Sequence, residues 1–298
     1  MFLNKPKNYI FIEDDELMLI NLHKNRKNQH VINKILQKRI PDGIIDDGKV
    51  IRKHQLMEIF KSISKNFRLK KGKVYLILPD EAVGSKFFHI PSVSDKEVED
   101  FMEIEAERIS DFTLNETLID YSILEKKEKR INLHLATINK NIIHDYQEII
   151  WKTLKNCHAI TFRGDTIWPC LTRFCGRDRG ILLELYDDVT FVSAGKNNQT
   201  YLYWQKFHAI DSLAEMQTLI KEVDTYLEQE VNIEKVKRIY IWDARKGKFE
   251  YPQINNGHSW TSLTIDDLSI NVNDQFKQFY QNNSVHFLPL IGMIFNEI

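Results

Sequence analysis

The sequence predicts an α/β chain of two units, with a smaller packed module set into the first. Three observations carry that reading. Strand-length apolar runs bounded by turn residues alternate with segments of helical periodicity. At 298 residues the chain exceeds one typical domain. One stretch, Lys73 to Leu124, orders strand, strand, helix and strand around an explicit helix start. Ser94 and Glu97 form an S-x-x-E capping box, in which each side chain satisfies a backbone N–H at the other's position. Val93 and Val98 flank it as a hydrophobic staple, and Val98, Phe101, Met102 and Ile109 recur on one helical face.

Composition narrows the class. A hydrophobic share of 43% with 28% charged residues is that of a soluble globular protein with a sizeable core. A net charge of −1 leaves no electrostatic footprint for nucleic acid. The basic run Arg68 to Lys73 reads as a solvated turn before a strand. Cys157, Cys170 and Cys175 have no metal-ligand spacing and read as reduced thiols. Acids Glu13 to Glu16 arrive where a signal peptide would stay apolar. The longest apolar run, Phe287 to Phe295, falls well short of the ~20 residues of a membrane helix. The expectation is a cytoplasmic protein with no direct membrane insertion.

The elements follow in order. Tyr9 to Ile12 and Leu17 to Leu22 predict a β-hairpin turning through Glu13, Asp14, Asp15 and Glu16, and Val31 to Ile40 continues the sheet. Turn chemistry at Pro41-Asp42-Gly43 and Asp46-Asp47-Gly48 precedes an amphipathic helix marked by Leu56, Ile59, Phe60 and Ile63. Val74 to Leu78 is a buried strand stopped by Pro79-Asp80. Beyond the capped helix, Ile119, Tyr121 and Ile123 alternate at strand period, as do Ile131, Leu133 and Leu135. A helix with Ile142, Ile143, Tyr146, Ile149, Ile150 and Leu154 follows a cap at Asn139 or Asn141. Trp168-Pro169 marks a helix entry or kink. The second unit opens near Gly180 with three meandering strands, 181–185, 189–194 and 200–207. A long helix with Leu213, Met216, Ile220, Val223 and Leu227 leads to the strand Val236 to Trp242. A strand at Trp260 to Ile265, a helix around Val272 to Tyr280 and a last helix entered at Pro289 complete the reading, with Gly292 placed for close packing.

The segments LPDEAV (78–83), HIPSVSDKEVEDFMEIEAERI (89–109), LIDYSIL (118–124) and, upstream, PDGIIDDGKVI (41–51) resemble the PilM family of type IV pilus assembly proteins. The resemblance implies an actin-like, ribonuclease H-like two-domain fold carrying an inserted strand-helix-strand-strand (SHS2) domain. It implies subdomain 1A at 1–82, completed by 158–178 and 283–298, the insertion at 83–157, and subdomain 2A at 179–282. The nucleotide-lid subdomain 2B is reduced or absent, since Phe207 passes within a few residues to the helix after it.

Against the family's pattern, the nucleotide motifs are degenerate. The first phosphate loop should carry glycine and small hydroxyl residues; here Glu13, Asp14 and Asp15 stand in the turn, and carboxylates repel a triphosphate. At the second loop Glu184 and Tyr186 replace acid and glycine, and Asp243 stands where a Gly-Gly pair would pack on nucleotide. ATP and Mg²⁺ are therefore not expected as cofactors, no metal site is expected, and the ATPase activity is expected to be lost. No nucleophile elbow, zinc-helix or P-loop signature is present. His89, His134 and His208 read as ordinary hydrogen-bonded strand histidines, and Glu103, Glu105 and Glu107 as a solvent face. The resemblance implies a cytoplasmic scaffold that grips the N-terminal cytosolic tail of a PilN-like membrane protein between the first domain and the insertion. That grip places it at the inner face of the plasma membrane and ties the partner to the pilus assembly ATPases. By neighbourhood, Phe87, Phe88, His89, Ile90, Phe101 and Glu105 are the partner-binding candidates, with core packing as the competing role. Two alternatives stay open: an active actin-like ATPase with atypical phosphate loops, and a scaffold of another secretion or division machine.

Overall fold

The computed structural model describes residues 6–24, 30–67, 69, 72–110, 112–175, 179–197, 199–206, 208, 210, 212–233, 236–243, 245, 259–263 and 288–296. The hairpin of β1 (Lys7–Ile12) and β2 (Glu16–Lys24) continues into β3 (His30–Arg39) as an antiparallel meander. A two-stranded ribbon, β4 (Ile45–Asp46) and β5 (Lys49–Val50), leads into α1 (Lys53–Phe67) and then β6 (Lys73–Leu78), which pairs parallel with β1. A later strand, β10 (Cys157–Phe162), pairs parallel with β6 and completes the order β10–β6–β1–β2–β3.

The second unit repeats this plan. β11 (Gly180–Leu185), β12 (Thr190–Lys196) and β13 (Gln199–Lys206) form a meander, and β14 (Arg238–Asp243) and β15 (Ser259–Ser262) add parallel strands in the order β13–β12–β11–β14–β15. Only residues 207–212 separate β13 from α5 (Leu213–Gln229), too few for a lid subdomain. A second capping box, Ser212 with Glu215, starts α5.

Strand period explains the layers. Along β1, Tyr9 and Phe11 enter a core shared by both sheets, while Ile10 and Ile12 enter the core beneath α1. A strand buried on both faces reads as an unbroken apolar run. Each fully buried aliphatic or Phe side chain there contributes roughly 1.5–3 kcal/mol. Between the sheets lie α4 (Arg163–Cys175) and α6 (Leu288–Asn296). At Gly292 any Cβ would fall 1.7 Å from the Thr166 carbonyl oxygen, so the α6 and α4 backbones touch. The helix expected around Val272 to Tyr280 lies outside the described residues.

The insertion holds β7 (Gly84–Pro91), α2 (Asp95–Ile109), β8 (Thr117–Lys127) and β9 (Arg130–Asn139), with strand order β7–β9–β8. The Ser94–Glu97 box is formed, and Val98, Met102 and Ala106 pack on Phe88, Ile90, Leu133 and Leu135. Phe101 departs from the expected face and is 37% exposed. Adjacent helical residues stand about 100° apart, so Met102 takes the buried stripe that Phe101 cannot share. The alternation expected along β8 also breaks. A register shift between Ile123 and Glu125 leaves Ile123 exposed and turns Leu124 into the core of the second unit. α3 (Lys140–Leu154), capped by Asn139, packs on α1 with Tyr146 and Ile150 in the first unit's core. Residues 83–157 thus combine a sheet-and-helix layer with a helix that belongs to the first unit's packing. No helix among the described residues is long and apolar enough to cross a membrane.

Candidate functional site

Three of the expected phosphate-loop positions, Glu13, Glu184 and Tyr186, gather around Arg163, which has no sequence signal. Arg163 opens α4 where β10 ends, and it is fully buried. Its Nη2 donates to Glu184 Oε2 at 2.6 Å and its Nε donates to the Tyr203 hydroxyl at 2.5 Å. The guanidinium lies 4.0 Å from the Phe191 ring centroid, a cation–π contact. The Tyr186 hydroxyl donates to the same Glu184 oxygen at 3.2 Å. Arg163 belongs to the first unit and Glu184, Tyr186, Phe191 and Tyr203 to the second, so the cluster joins the two units across their cleft. Asp80, in the turn after β6, accepts the Gly164 N–H at 2.9 Å, a carboxylate on a helix N-terminus.

Burial sets the electrostatics. Desolvation pushes the Glu13 carboxyl up to about 8, against the pull of Arg163. It pushes Asp80 up to about 7, against Arg163 and the Gly164 N–H. Glu184 is also raised by burial, with Arg163 pulling it back. Burial disfavours the Arg163 cation, but Glu184 and the tyrosines around it hold the charge well above the usual arginine value. The cleft therefore contains an internal ion pair wrapped in aromatic rings. A triphosphate would have to displace Glu184 to reach Arg163.

The other loop positions have structural roles. Asp14 accepts the N–H groups of Asp47 and Gly48 at 2.8 and 2.9 Å, which pins the β1–β2 turn to the β4–β5 turn. Gly48 has φ +70° there, and a Cβ would sit 2.6 Å from that of Ala82. The Asp14, Asp46 and Asp47 carboxylates lie within 4.8 Å of one another, but both Asp14 oxygens already hold backbone. Asp15 is exposed, and its carbonyl accepts the Ile40 N–H. Asp243 forms a forked pair with Arg245, Oδ1 to Nε at 2.9 Å and Oδ2 to Nη2 at 3.2 Å. His144, Asp145 and Glu148 also gather on α3, where the Lys53 ammonium sits on Asp145 and Glu148.

The partner-binding candidates are spread over two faces of β7 and over α2. Phe87 stacks on His134 at 4.1 Å and packs into the second unit's core. Phe88 and Ile90 point the other way, under α2. His89 is exposed, and its Nδ1–H donates to the Glu230 carbonyl at 2.8 Å. The Tyr226 hydroxyl donates to the Phe87 carbonyl at 2.9 Å and Arg130 Nη2 to the Asn232 carbonyl at 2.7 Å, so the insertion is tied to the end of α5. Phe101 stands on the outer side of α2. Glu105, expected on a solvent face, is instead buried, paired with Lys86 at 2.7 Å and Arg108 at 2.5 Å. The structure does not bring these six into one groove.

A cavity of about 240 Å³ does lie between the insertion and the first unit. Five successive β8 residues, Leu118 to Ser122, form one wall, and Ile160 to Phe162 of β10 form another. His134 and Ala136 to Ile138 of β9, Ile143 of α3 and Asp165 of α4 close it. β8 and β10 are each the outermost strand of their sheet, so no strand among the described residues pairs with their facing edges. The alternation along β8 was legible in the sequence; that it ends a sheet opposite another sheet's end was not.

The whole architecture superposes on the chain solved in the "PilM-PilN type IV pilus biogenesis complex". The TM-score is 0.72 at 15% identity, over 95% of this chain and 96% of that one. The family model described as type IV pilus assembly protein PilM matches residues 10–153. The chain is PilM-like. This PilM-like chain also superposes, at TM-score 0.52 and 8% identity, on the cytoplasmic domain of EpsL, an inner membrane component of the type II secretion system of Vibrio cholerae. That match spans 88% of this chain and 92% of that one. A Bacteroides thetaiotaomicron protein described as having an actin-like ATPase fold aligns at TM-score 0.48 and 11% identity, over 82% and 84% of the two chains. A comparison with curated protein sequences finds no match. The two-unit α/β architecture with an inserted three-stranded layer, expected from the PilM resemblance, is the one found.

Proposed function

We propose that this PilM-like chain is a cytosolic scaffold of a type IV pilus assembly machine that works without nucleotide. It holds the N-terminal cytosolic tail of a PilN-like membrane protein in the cavity between β8 and β10, and that tail keeps it at the inner face of the membrane. The observation that carries the reading is the cavity bounded by two strand edges that no strand among the described residues pairs. An extended peptide adds its backbone hydrogen bonds to such an edge and drops alternate side chains into the pocket. The name of the solved complex, which pairs a PilM with a PilN, supports the same partner class. The absence of a nucleotide role is supported by the Arg163–Glu184 pair that already occupies the cleft.

Two titrations test it on the full chain. A fluorescein-labelled tail peptide of the PilN-like protein from the same genome should saturate the chain. Ala136→Phe, which fills the cavity, should abolish that binding without changing the circular dichroism spectrum. Binding that survives Ala136→Phe would remove the groove from the proposal. A fluorescent ATP analogue with Mg²⁺ should show no saturation, and saturable micromolar binding would restore the ATPase alternative.

A further inference from the structure

The lining of the β8–β10 cavity is mostly apolar, yet two carboxylates stand in it. Asp120 comes from β8 and Asp165 from the first turn of α4, and they are close enough for Asp120 to repel charge on Asp165. No lysine or arginine is among the lining residues. The titratable groups there are Asp120 and Tyr121 on β8, His134 on β9 and Asp165 on α4. His134 offers no compensating cation. Its ring is buried between Phe87 and Phe162, Nε2 lies 2.9 Å from Ser85 Oγ, and burial brings its pKa down to about 4. Its Nδ1 is 3.5 Å from Asp165 Oδ1, longer than a firm hydrogen bond. The groove thus presents two carboxyl groups on an apolar wall, with no lysine or arginine among its lining residues to pair with them.

The geometry points to a groove selective for an extended segment that carries a lysine or arginine, with the cationic head between Asp120 and Asp165 and flanking apolar side chains against Leu118, Ile143 and Ile160. A long basic side chain suits this lining, because its stem buries along apolar surface while its head seeks carboxylates. Arginine fits best, since its planar fork meets a carboxylate through two parallel hydrogen bonds. This inference rests on the docking reading above and adds the chemistry of the anchor. Burial and the Asp120 charge push Asp165 up to about 7, so a cation arriving there displaces a proton that the empty groove holds. Binding should therefore tighten as pH rises through neutrality.

The test uses the full chain and a labelled peptide of roughly the first 15 residues of the PilN-like protein from the same genome, an extended span of about 50 Å. Each Lys or Arg of the peptide is replaced in turn by norleucine or citrulline. One replacement should weaken binding roughly tenfold or more, as for loss of a hydrogen bond to a charged group. Asp165→Asn should weaken the native peptide by a similar factor and leave the neutral analogue unaffected, with its circular dichroism unchanged. Tight binding of every neutral analogue would overturn the basic anchor while leaving the docking reading in place. So would equal losses for native and neutral peptides in Asp165→Asn. Failure of the native peptide to bind the wild-type chain would overturn both.

Discussion

Arg163→Met is the sharpest test of the cleft. Methionine approximates the stem of arginine but leaves Glu184 buried without its cation. The two side chains are 2% and 0% exposed and meet at 2.6 Å, so solvent screens the pair little. Removing one partner of a buried pair costs about 3–5 kcal/mol. Loss of the contact 4.0 Å from the Phe191 ring adds on the order of 2 kcal/mol for a desolvated cation–π pair. Two effects oppose these: the thioether keeps part of the packing, and Glu184, already raised by burial, relieves its stranded charge by taking up a proton. The expected net loss is about 3–5 kcal/mol in urea unfolding followed by tryptophan fluorescence, with Trp168 as a fully buried reporter. Arg163→Met combined with Glu184→Gln removes both charges and should recover at least half of the loss, since a neutral core replacement of an ion pair is often tolerated. The double-mutant cycle then shows strong coupling. A single-variant cost below about 1 kcal/mol, the range of a surface pair, would refute a buried clasp joining the units. Strict additivity of the two substitutions would do the same.

The remaining predictions concern pH and packing. Glu13 binds its proton more readily folded than unfolded, with a value of about 8 against the ordinary 4.5, and Asp80 does so at about 7 against 3.8. Their contribution is full below the unfolded values and is lost as pH rises through the folded ones, so the urea midpoint should fall between about pH 5 and pH 8. His134, depressed to about 4, acts with the opposite sign and withdraws stability as pH falls from 6.5, which places the optimum on the mildly acid side. Glu13→Gln should flatten the alkaline slope, and a slope unchanged by it would show that Glu13 is not the titrating group. Gly292→Val places a side chain where even a Cβ lies 1.7 Å from the Thr166 carbonyl oxygen, so α6 must move off α4. The loss should exceed the roughly 1–3 kcal/mol of ordinary overpacking, and a melting temperature equal to wild type would contradict the backbone contact.

Local rules made much of the fold legible. The Ser94–Glu97 box, the unbroken apolar run of β1 and the Asn139 cap depend on residues a few positions apart, and all are formed. Reading failed where two local signals competed or where distant chain met. Phe101 and Met102 both fit an apolar stripe, and only packing against Leu133 and Leu135 chose Met102. Glu105 looks solvent-facing in an acidic helix until Lys86, 19 residues earlier, reaches it. Arg163 had no sequence signal, because nothing near it announces that Glu184, Tyr186 and Tyr203 will surround its guanidinium.

The sequence by itself determined the strands, the helices and their caps, because periodicity and capping act within a few residues of chain. It also determined the acids of the β1–β2 turn, the tyrosine after β11 and the short span between β13 and α5. Only the tertiary structure decided what occupies the cleft and where a groove opens. An ion pair between α4 and β11, and a cavity between the outer strands of two sheets, exist only once segments tens of residues apart are brought together. Their energies come from burial, which no single segment of the chain possesses alone.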